Sequence, residues 1–267
     1  MKIENEKYFT PPELAKELIQ LTYDTIGNDW NRIIEPAAGD GSFLQFLPNN
    51  TLAYDIDPTL PNVIQADYRT VKLPYMEKSL VIGNPPFGNR NNLSRQFIKV
   101  SLKHSPYIAF IQPISQLDNN IQMTNTELLL SKDLGDNNFS GIKLHTCFNI
   151  YHYKINGHKQ NYEIPGIHMY SLRRTGKEEY KNNDNLKYDY RIGEWGSNIR
   201  LLKDNEIYAS EIIINAENDK IRDWLSTVIN YDWTQLVHSI STPRLPIWRV
   251  KKYLYEKWIT DKKNIAV

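Results

Sequence analysis

One cysteine, Cys147, is all the thiol chemistry in this chain of 267 residues. A lone cysteine excludes an intramolecular disulfide framework and a four-cysteine zinc site, and it fits a reducing compartment. Cys147 reads as a small core residue. Excess charge is equally scarce, because 32 basic residues against 31 acidic ones leave a formal net charge of +1. The whole chain is no polycation, so any contact with nucleic acid has to come from a local patch. Long apolar runs are missing too. None approaches the roughly 20 residues of a membrane span. Met1-Lys2-Ile3-Glu4-Asn5-Glu6-Lys7 is polar where a secretory signal would be apolar. The expectation is a cytoplasmic protein with no membrane partner. The six histidines, His152 and His158 among them, show no metal-ligand spacing, so no metal is expected. What the chain does have is 40% hydrophobic residues, enough for the core of one large domain or of a domain with a small appendage.

Along the chain, Leu14, Leu18, Ile19 and Leu21 recur at helical spacing, with Thr10 as the expected N-cap, Pro11 at the first helical position and Glu13 completing a capping box. Arg32-Ile33-Ile34 reads as a strand, followed by a turn containing Gly39 and Gly41 and a helix near residues 42–46. Strand, glycine turn and helix open a nucleotide-binding βαβ unit. Strands at 51–54, 62–65, 80–83 and 107–111, with a helix at 93–102, argue for a doubly wound, mostly parallel α/β sheet. Further on, 124–133 reads as helical, 143–154 and 162–173 as strands, and 176–185 as a polar loop. From residue 215 the pattern is helical again. The expected division is 1–175 for the main domain and 176–267 for a small, α-rich C-terminal region.

Asn84-Pro85-Pro86-Phe87, at the end of the apolar run Ser79-Leu80-Val81-Ile82-Gly83, describes a chemistry. A conjugated amine is a poor nucleophile because its lone pair is delocalised into the ring. The Asn84 amide oxygen and the Pro85 carbonyl, both aimed at the amino hydrogens, would localise that pair. Pro85 and Pro86 stiffen the turn, and Phe87 offers a flat face on which a base can stack.

Ligands of doubly wound sheets sit at the carboxyl ends of the strands, where Glu35, Asp55, Asp67 and Asn84 each follow an expected strand. Gly39 and Gly41 would let the backbone approach a ligand. The turn lacks a third glycine and the Lys-Ser/Thr of a phosphate loop and contains Asp40, which disfavours a pyrophosphate and favours a cationic or zwitterionic ligand. Asp55 suits a ribose diol, Asp67 an adenine amino group, and Ile56 a purine face. Together these residues describe a pocket for S-adenosylmethionine.

Glu35-Pro36-Ala37-Ala38-Gly39-Asp40-Gly41-Ser42-Phe43 resembles motif I of the amino-methyltransferases, Tyr54-Asp55-Ile56-Asp57-Pro58 their motif II, Ala66-Asp67-Tyr68 their motif III and Asn84-Pro85-Pro86-Phe87 their motif IV. Tyr8-Phe9-Thr10-Pro11-Pro12-Glu13 resembles motif X, which in that family lines the methionine end of the cofactor. With motif X before motif I, the order is that of the gamma group of N6-adenine DNA methyltransferases. The resemblance covers roughly the first 115 residues. It implies a Rossmann-like class I methyltransferase fold and a site-specific enzyme, as in restriction-modification systems, that flips adenine out of DNA and methylates its N6 amino group. It also implies that Thr10, Pro11, Pro36, Ala37 and Tyr68 contact the cofactor. A later aromatic of the family helps hold the flipped base. Phe148 and Tyr151 are the candidates, although core packing explains them equally well.

Residues 241–267 carry seven basic residues against two acidic ones, including Arg244, Arg249, Lys251 and Lys252, interleaved with Trp248, Tyr253, Tyr255 and Trp258. Such a pattern fits a surface for a phosphate backbone and bases, with Arg173, Arg174 and Lys177 as a second contact. It equally fits an amphipathic helix docked through Val250, Leu254 and Trp258. Only about 90 residues follow Arg174, near the low end for a separate recognition domain, so a partner subunit for target recognition is a further expectation. Three alternatives stand beside adenine in DNA: adenine in RNA or a glutamine amide, cytosine N4, and a catalytically silent binding subunit.

Overall fold

The computed structural model describes residues 8–119, 125–155, 162–174, 186–238 and 242–265. Residues 1–7, the expected loop at 176–185, Lys177 and His158 lie outside the described residues, as does the side chain of Lys263. The chain divides into two compact units, Met1–Gln160 and Asn161–Val267. No helix among the described residues is long and apolar enough to cross a membrane.

In the first unit, helix α1 (Pro12–Ile26) precedes strands β1 (Arg32–Glu35), β2 (Leu52–Asp55), β3 (Ile64–Gln65) and β4 (Ser79–Gly83). Helix α2 (Asn92–Ser101) and strands β5 (Tyr107–Pro113), β6 (Thr126–Phe139) and β7 (Ile142–Tyr153) follow. They form one seven-stranded sheet in the order β3-β2-β1-β4-β5-β7-β6. Strands β1 to β5 are parallel, and β7 runs antiparallel to β5 and β6. The doubly wound, mostly parallel sheet expected from the sequence is therefore present. Its central strands read as continuous apolar runs because both faces are covered. Ile33, Leu80, Ile82, Ala109 and Ile111 share a core with Ala15, Leu18 and Ile19 of α1. Their strand neighbours Ile34, Val81, Ile108 and Phe110 pack on the other face with Phe97 and Ile98 of α2. Each fully buried aliphatic side chain here contributes about 1.5–3 kcal/mol.

Three local expectations are corrected. Pro11, not Thr10, occupies the N-cap position of α1, and no side chain caps the helix. Thr10 is turned to another partner, described below. The helix expected at 42–46 is only a 3-10 turn, Leu44–Phe46. Leu47 leaves that turn with φ −94° and ψ 159°, the extended conformation that Pro48 imposes on the residue before it. The segment 124–133 is not helical. From Thr126 on it belongs to β6, which pairs with β7 along its length, with register shifts between Leu128 and Leu130 and between Asp133 and Gly135. The two shifts break the alternation of period 2, so Leu128, Leu129 and Leu130 imitate a helical pattern.

The second unit begins before the expected boundary at 175/176. The reason is pairing: β8 (Ile167–Arg173) and β9 (Tyr190–Gly193) flank β10 (Ser210–Ala216) in a three-stranded antiparallel sheet. Helices α3 (Asp219–Val228) and α4 (Ile247–Ile265) follow the sheet. Ile192, Ile212, Ile214, Leu225, Trp233, Leu245, Val250 and Leu254 form its core. Glu211 on β10 accepts from Arg174 Nη1 at 2.8 Å and Arg191 Nη1 at 3.1 Å, and all three side chains are buried.

Candidate active site

The strand order reverses between β1 and β4, and the loops leaving β1, β2 and β4 surround a cavity of about 440 Å³. Ligands of this architecture bind at such a switch point. Pro36, Ala37 and Gly39 line it from the β1 loop, Asp55 and Ile56 from the end of β2, Asp67 and Tyr68 from the segment after β3, and Asn84, Pro85, Pro86 and Phe87 from the end of β4. Eleven residues named from sequence thus meet at one cavity.

Asp55 holds two loops at once. Its Oδ2 accepts from the Gly39 backbone N–H at 2.8 Å and its Oδ1 from the Asp57 N–H at 2.9 Å. Gly39 has φ +55°, and a Cβ there would stand 3.2 Å from the Phe9 ring. Ile56 is 57% exposed, an apolar wall of the cavity left open. Asp67 is not a free carboxylate. Arg69 holds both its oxygens, Nε to Oδ1 at 2.9 Å and Nη2 to Oδ2 at 2.7 Å, and these bonds keep the carboxyl below its usual range. Tyr68 borders the cavity but is only 1% exposed. Its hydroxyl bonds His104 Nδ1 at 3.1 Å, and burial pushes its pKa up.

At the β4 turn, Asn84 Nδ2 donates to the Tyr8 carbonyl and to Thr10 Oγ1, both at 3.1 Å. The Phe87 ring lies on the wall, 9% exposed, and its carbonyl accepts from the Leu93 N–H at 3.1 Å, tying the turn to α2. Gly88 follows with φ +66°, where a Cβ would come within 2.6 Å of Leu93 Cγ.

Four residues named from sequence for the cofactor lie beside the cavity rather than on its wall. Thr10 Oγ1 accepts from Asn84 Nδ2, and Pro11 is the N-cap of α1. Gly41, at φ +85°, packs under Leu60, where a Cβ would stand 2.5 Å from Leu60 Cδ1. Glu35 is 1% exposed, with Oε2 unpartnered. Burial first, then Asp40 and Asp55, push its carboxyl well above the usual carboxylate range.

Phe148 and Tyr151 are corrected to core residues. Both are fully buried in β7, and the Tyr151 hydroxyl lies 2.9 Å from Asn149 Nδ2. Period 2 decided which way they face, and both faces of this sheet are covered. In the second unit Tyr253, Tyr255 and Trp258 of α4 are partly buried and pack against the core. Tyr253 stacks against Tyr231 at 4.2 Å, and Trp258 meets Trp224 at 5.0 Å. Arg249 is 6% exposed with its guanidinium 4.5 Å from the Trp248 ring, and Arg174 is spent on Glu211, so neither offers a free charge to a phosphate backbone. Arg244 lies 5.0 Å over the half-exposed Trp195, and Lys251 and Lys252 are partly exposed.

Sequence reasoning missed Arg69, Gly88, Asn89, Asn92, Leu93 and Phe97 on the cavity wall. Asn89 and Asn92 carried a usable signal, two amides three residues apart where the turn enters α2. Tyr8 and Phe9, also on the wall, stood unassigned inside the motif X stretch.

No protein-family model matches this chain, and no curated protein does. Among solved structures it is similar to a candidate RNA methyltransferase from Pyrococcus horikoshii, at 16% identity over 58% of this chain and 93% of that one, with a TM-score of 0.46. It is also similar to the 23S rRNA methyltransferase ErmE, at 13% identity over 55% of this chain and 70% of that one, with a TM-score of 0.42. For the M protein of the type I restriction enzyme EcoKI the figures are 16%, 57%, 45% and 0.40. The order of the seven strands, with β7 antiparallel, is itself the Rossmann-like class I methyltransferase arrangement expected from the sequence.

Proposed function

We propose that this chain is an S-adenosylmethionine-dependent methyltransferase that acts on the exocyclic N6 amino group of adenine in DNA, as the enzymes of restriction-modification systems do. The observation that carries the reading is that the Asn84-Pro85-Pro86-Phe87 turn leaves β4 into the same cavity as Gly39, Asp55 and Ile56. One wall of that cavity suits a nucleoside, and the other carries a pair of amine acceptors.

The residues present fit the cofactor. An unpartnered carboxylate oxygen on Glu35, in the company of Asp40 and Asp55, makes this end of the sheet favourable for a ligand with cationic groups. Asp55, Ile56 and the Asp67–Arg69 pair would hold the nucleoside, and Pro36, Ala37 and Gly39 the chain that bears the sulfonium. Bound there, the cofactor supplies an activated methyl group. The chain's own task is to prepare the acceptor. Asn84 Oδ1 and the Pro85 carbonyl accept the two amino hydrogens and localise the lone pair on nitrogen. Pro85 and Pro86 keep those acceptors from relaxing, and alignment provides much of the rate. Phe87 offers its face to the base. In a duplex, flipping the base costs a few kcal/mol, which stacking and the two hydrogen bonds offset.

The second unit serves in this reading as the recognition or partner-binding part, with Arg244, Lys251 and Lys252 as its contacts to the phosphate backbone. Transfer of a labelled methyl group to DNA, RNA and protein in parallel tests the proposal, followed by digestion of the product to identify the modified base. Label in N6-methyladenine of DNA supports it. Label only in RNA, in glutamine or in cytosine, or none at all, replaces it with one of the alternatives.

A further inference from the structure

We infer that residues 8–10 form a strap that sets the orientation of the Asn84 amide, with Thr10 as a positioning residue. The inference rests on the proposed function, in which Asn84 Oδ1 is an acceptor for the target amine.

Asn84 Nδ2 donates to both ends of the strap, to the Tyr8 carbonyl and to Thr10 Oγ1 at 3.1 Å each. A backbone carbonyl can only accept, so the amide nitrogen has to face it and Oδ1 is turned the other way. Thr10 is 5% exposed, so its bond to Asn84 competes little with water. The strap is itself held at the residue between its two acceptors. The Phe9 N–H donates to Ser140 Oγ at 2.8 Å, at the tip of the β6–β7 hairpin, and the Phe9 ring covers Gly39. Phe139, next to Ser140, is fully buried in the core that α1 shares, which fixes the tip. A second observation points the same way. Thr10 stands one residue before the N-cap of α1, which has no side-chain cap, and its hydroxyl accepts from Asn84 instead. Tyr8 and Phe9 also line the cavity, so the strap touches the cofactor side and the acceptor side of one site.

The test compares Thr10→Val, Thr10→Ser and Ser140→Ala by two readouts. The first is hydrogen exchange of the Asn84 side-chain amide, followed by NMR in the protein without cofactor. The second is the methyl-transfer assay split into kcat and S-adenosylmethionine Kd. Thr10→Val is expected to speed the exchange and lower kcat roughly 10-fold, the usual effect of losing one such bond, with Kd unchanged. Thr10→Ser should restore both, and Ser140→Ala should move both in the direction of Thr10→Val by less. Wild-type exchange and kcat in Thr10→Val would overturn the inference, as would a loss that Thr10→Ser does not rescue or one that appears in Kd alone. Should Thr10→Val not fold, Ser140→Ala at the exposed tip decides, and unchanged exchange there overturns it. No methyl transfer by the wild-type protein, with the exchange contrast intact, would overturn the proposed function and leave the strap standing.

Discussion

Glu35 ends β1 with one carboxylate oxygen unpartnered and a pKa pushed up by burial and by two neighbouring carboxylates. Because the folded-state value lies above the unfolded one, near 4.5, the folded protein binds the proton more tightly. The stability this group contributes is present below that pH and is lost as pH rises through the folded-state value. Glu35→Gln is therefore expected to raise the melting temperature at pH 8 and flatten the decline of stability above pH 4.5, while weakening S-adenosylmethionine binding. Thermal melts across pH and calorimetric titration check the two halves, and an unchanged affinity would remove Glu35 from the cofactor's account. Single residues were legible where chemistry constrains them alone. Asp55, Asn84 and Phe87 could be placed because each ends or follows an apolar run. Thr10 could not, because its Asn84 partner lies 74 positions away and only the fold brings them together. Arg69 was hidden for a related reason: a basic residue two positions after Asp67 says nothing of pairing until the 3-10 turn at Tyr68–Thr70 closes.

The β4–α2 connection is as constrained as the strands it joins. Gly88 has φ +66°, and a Cβ there would press on Leu93 at the start of α2, while the Phe87 carbonyl caps that helix from the other side. Gly88→Ala is expected to cost about 1–3 kcal/mol from backbone strain and crowding. Because the displaced segment carries the Asn84 turn, kcat should fall with it. Chemical denaturation together with the transfer assay tests this, and a variant as stable and active as the wild type would contradict it. The central strands and both helices of the first unit were legible because β1, β4 and β5 are buried on both faces and α2 is amphipathic. The edge strand β6 was not. Its bulges at Leu129 and Leu134 remove the period that marks a strand, and pairing with β7 decides its conformation. Phe148 and Tyr151 were placed on the correct strand with core packing and base contact both open, since sequence alone does not say that both are fully buried.

The two units are built on different principles. The first has a sheet whose central strands are buried on both sides, and the second holds a small antiparallel sheet with a buried cluster of one carboxylate and two guanidinium groups. Removing one member of such a cluster leaves uncompensated charge, so Glu211→Gln is expected to cost about 3–5 kcal/mol in the second unit. Urea unfolding followed by Trp fluorescence would read it, and a loss below about 1 kcal/mol would show that the two arginines find other partners. The C-terminal pattern of aromatics and lysines had two readings in the sequence. The structure packs the partly buried Tyr253, Tyr255 and Trp258 against the core and leaves Lys251 and Lys252 partly exposed. In the first unit, the proposed chemistry rests on Asn84. Digestion of DNA after incubation with labelled S-adenosylmethionine, for the wild type and Asn84→Ala side by side, tests it most directly. The expected result is label in N6-methyladenine for the wild type and a loss of at least about 10²-fold for the variant, with cofactor affinity retained. Equal transfer by Asn84→Ala would contradict it.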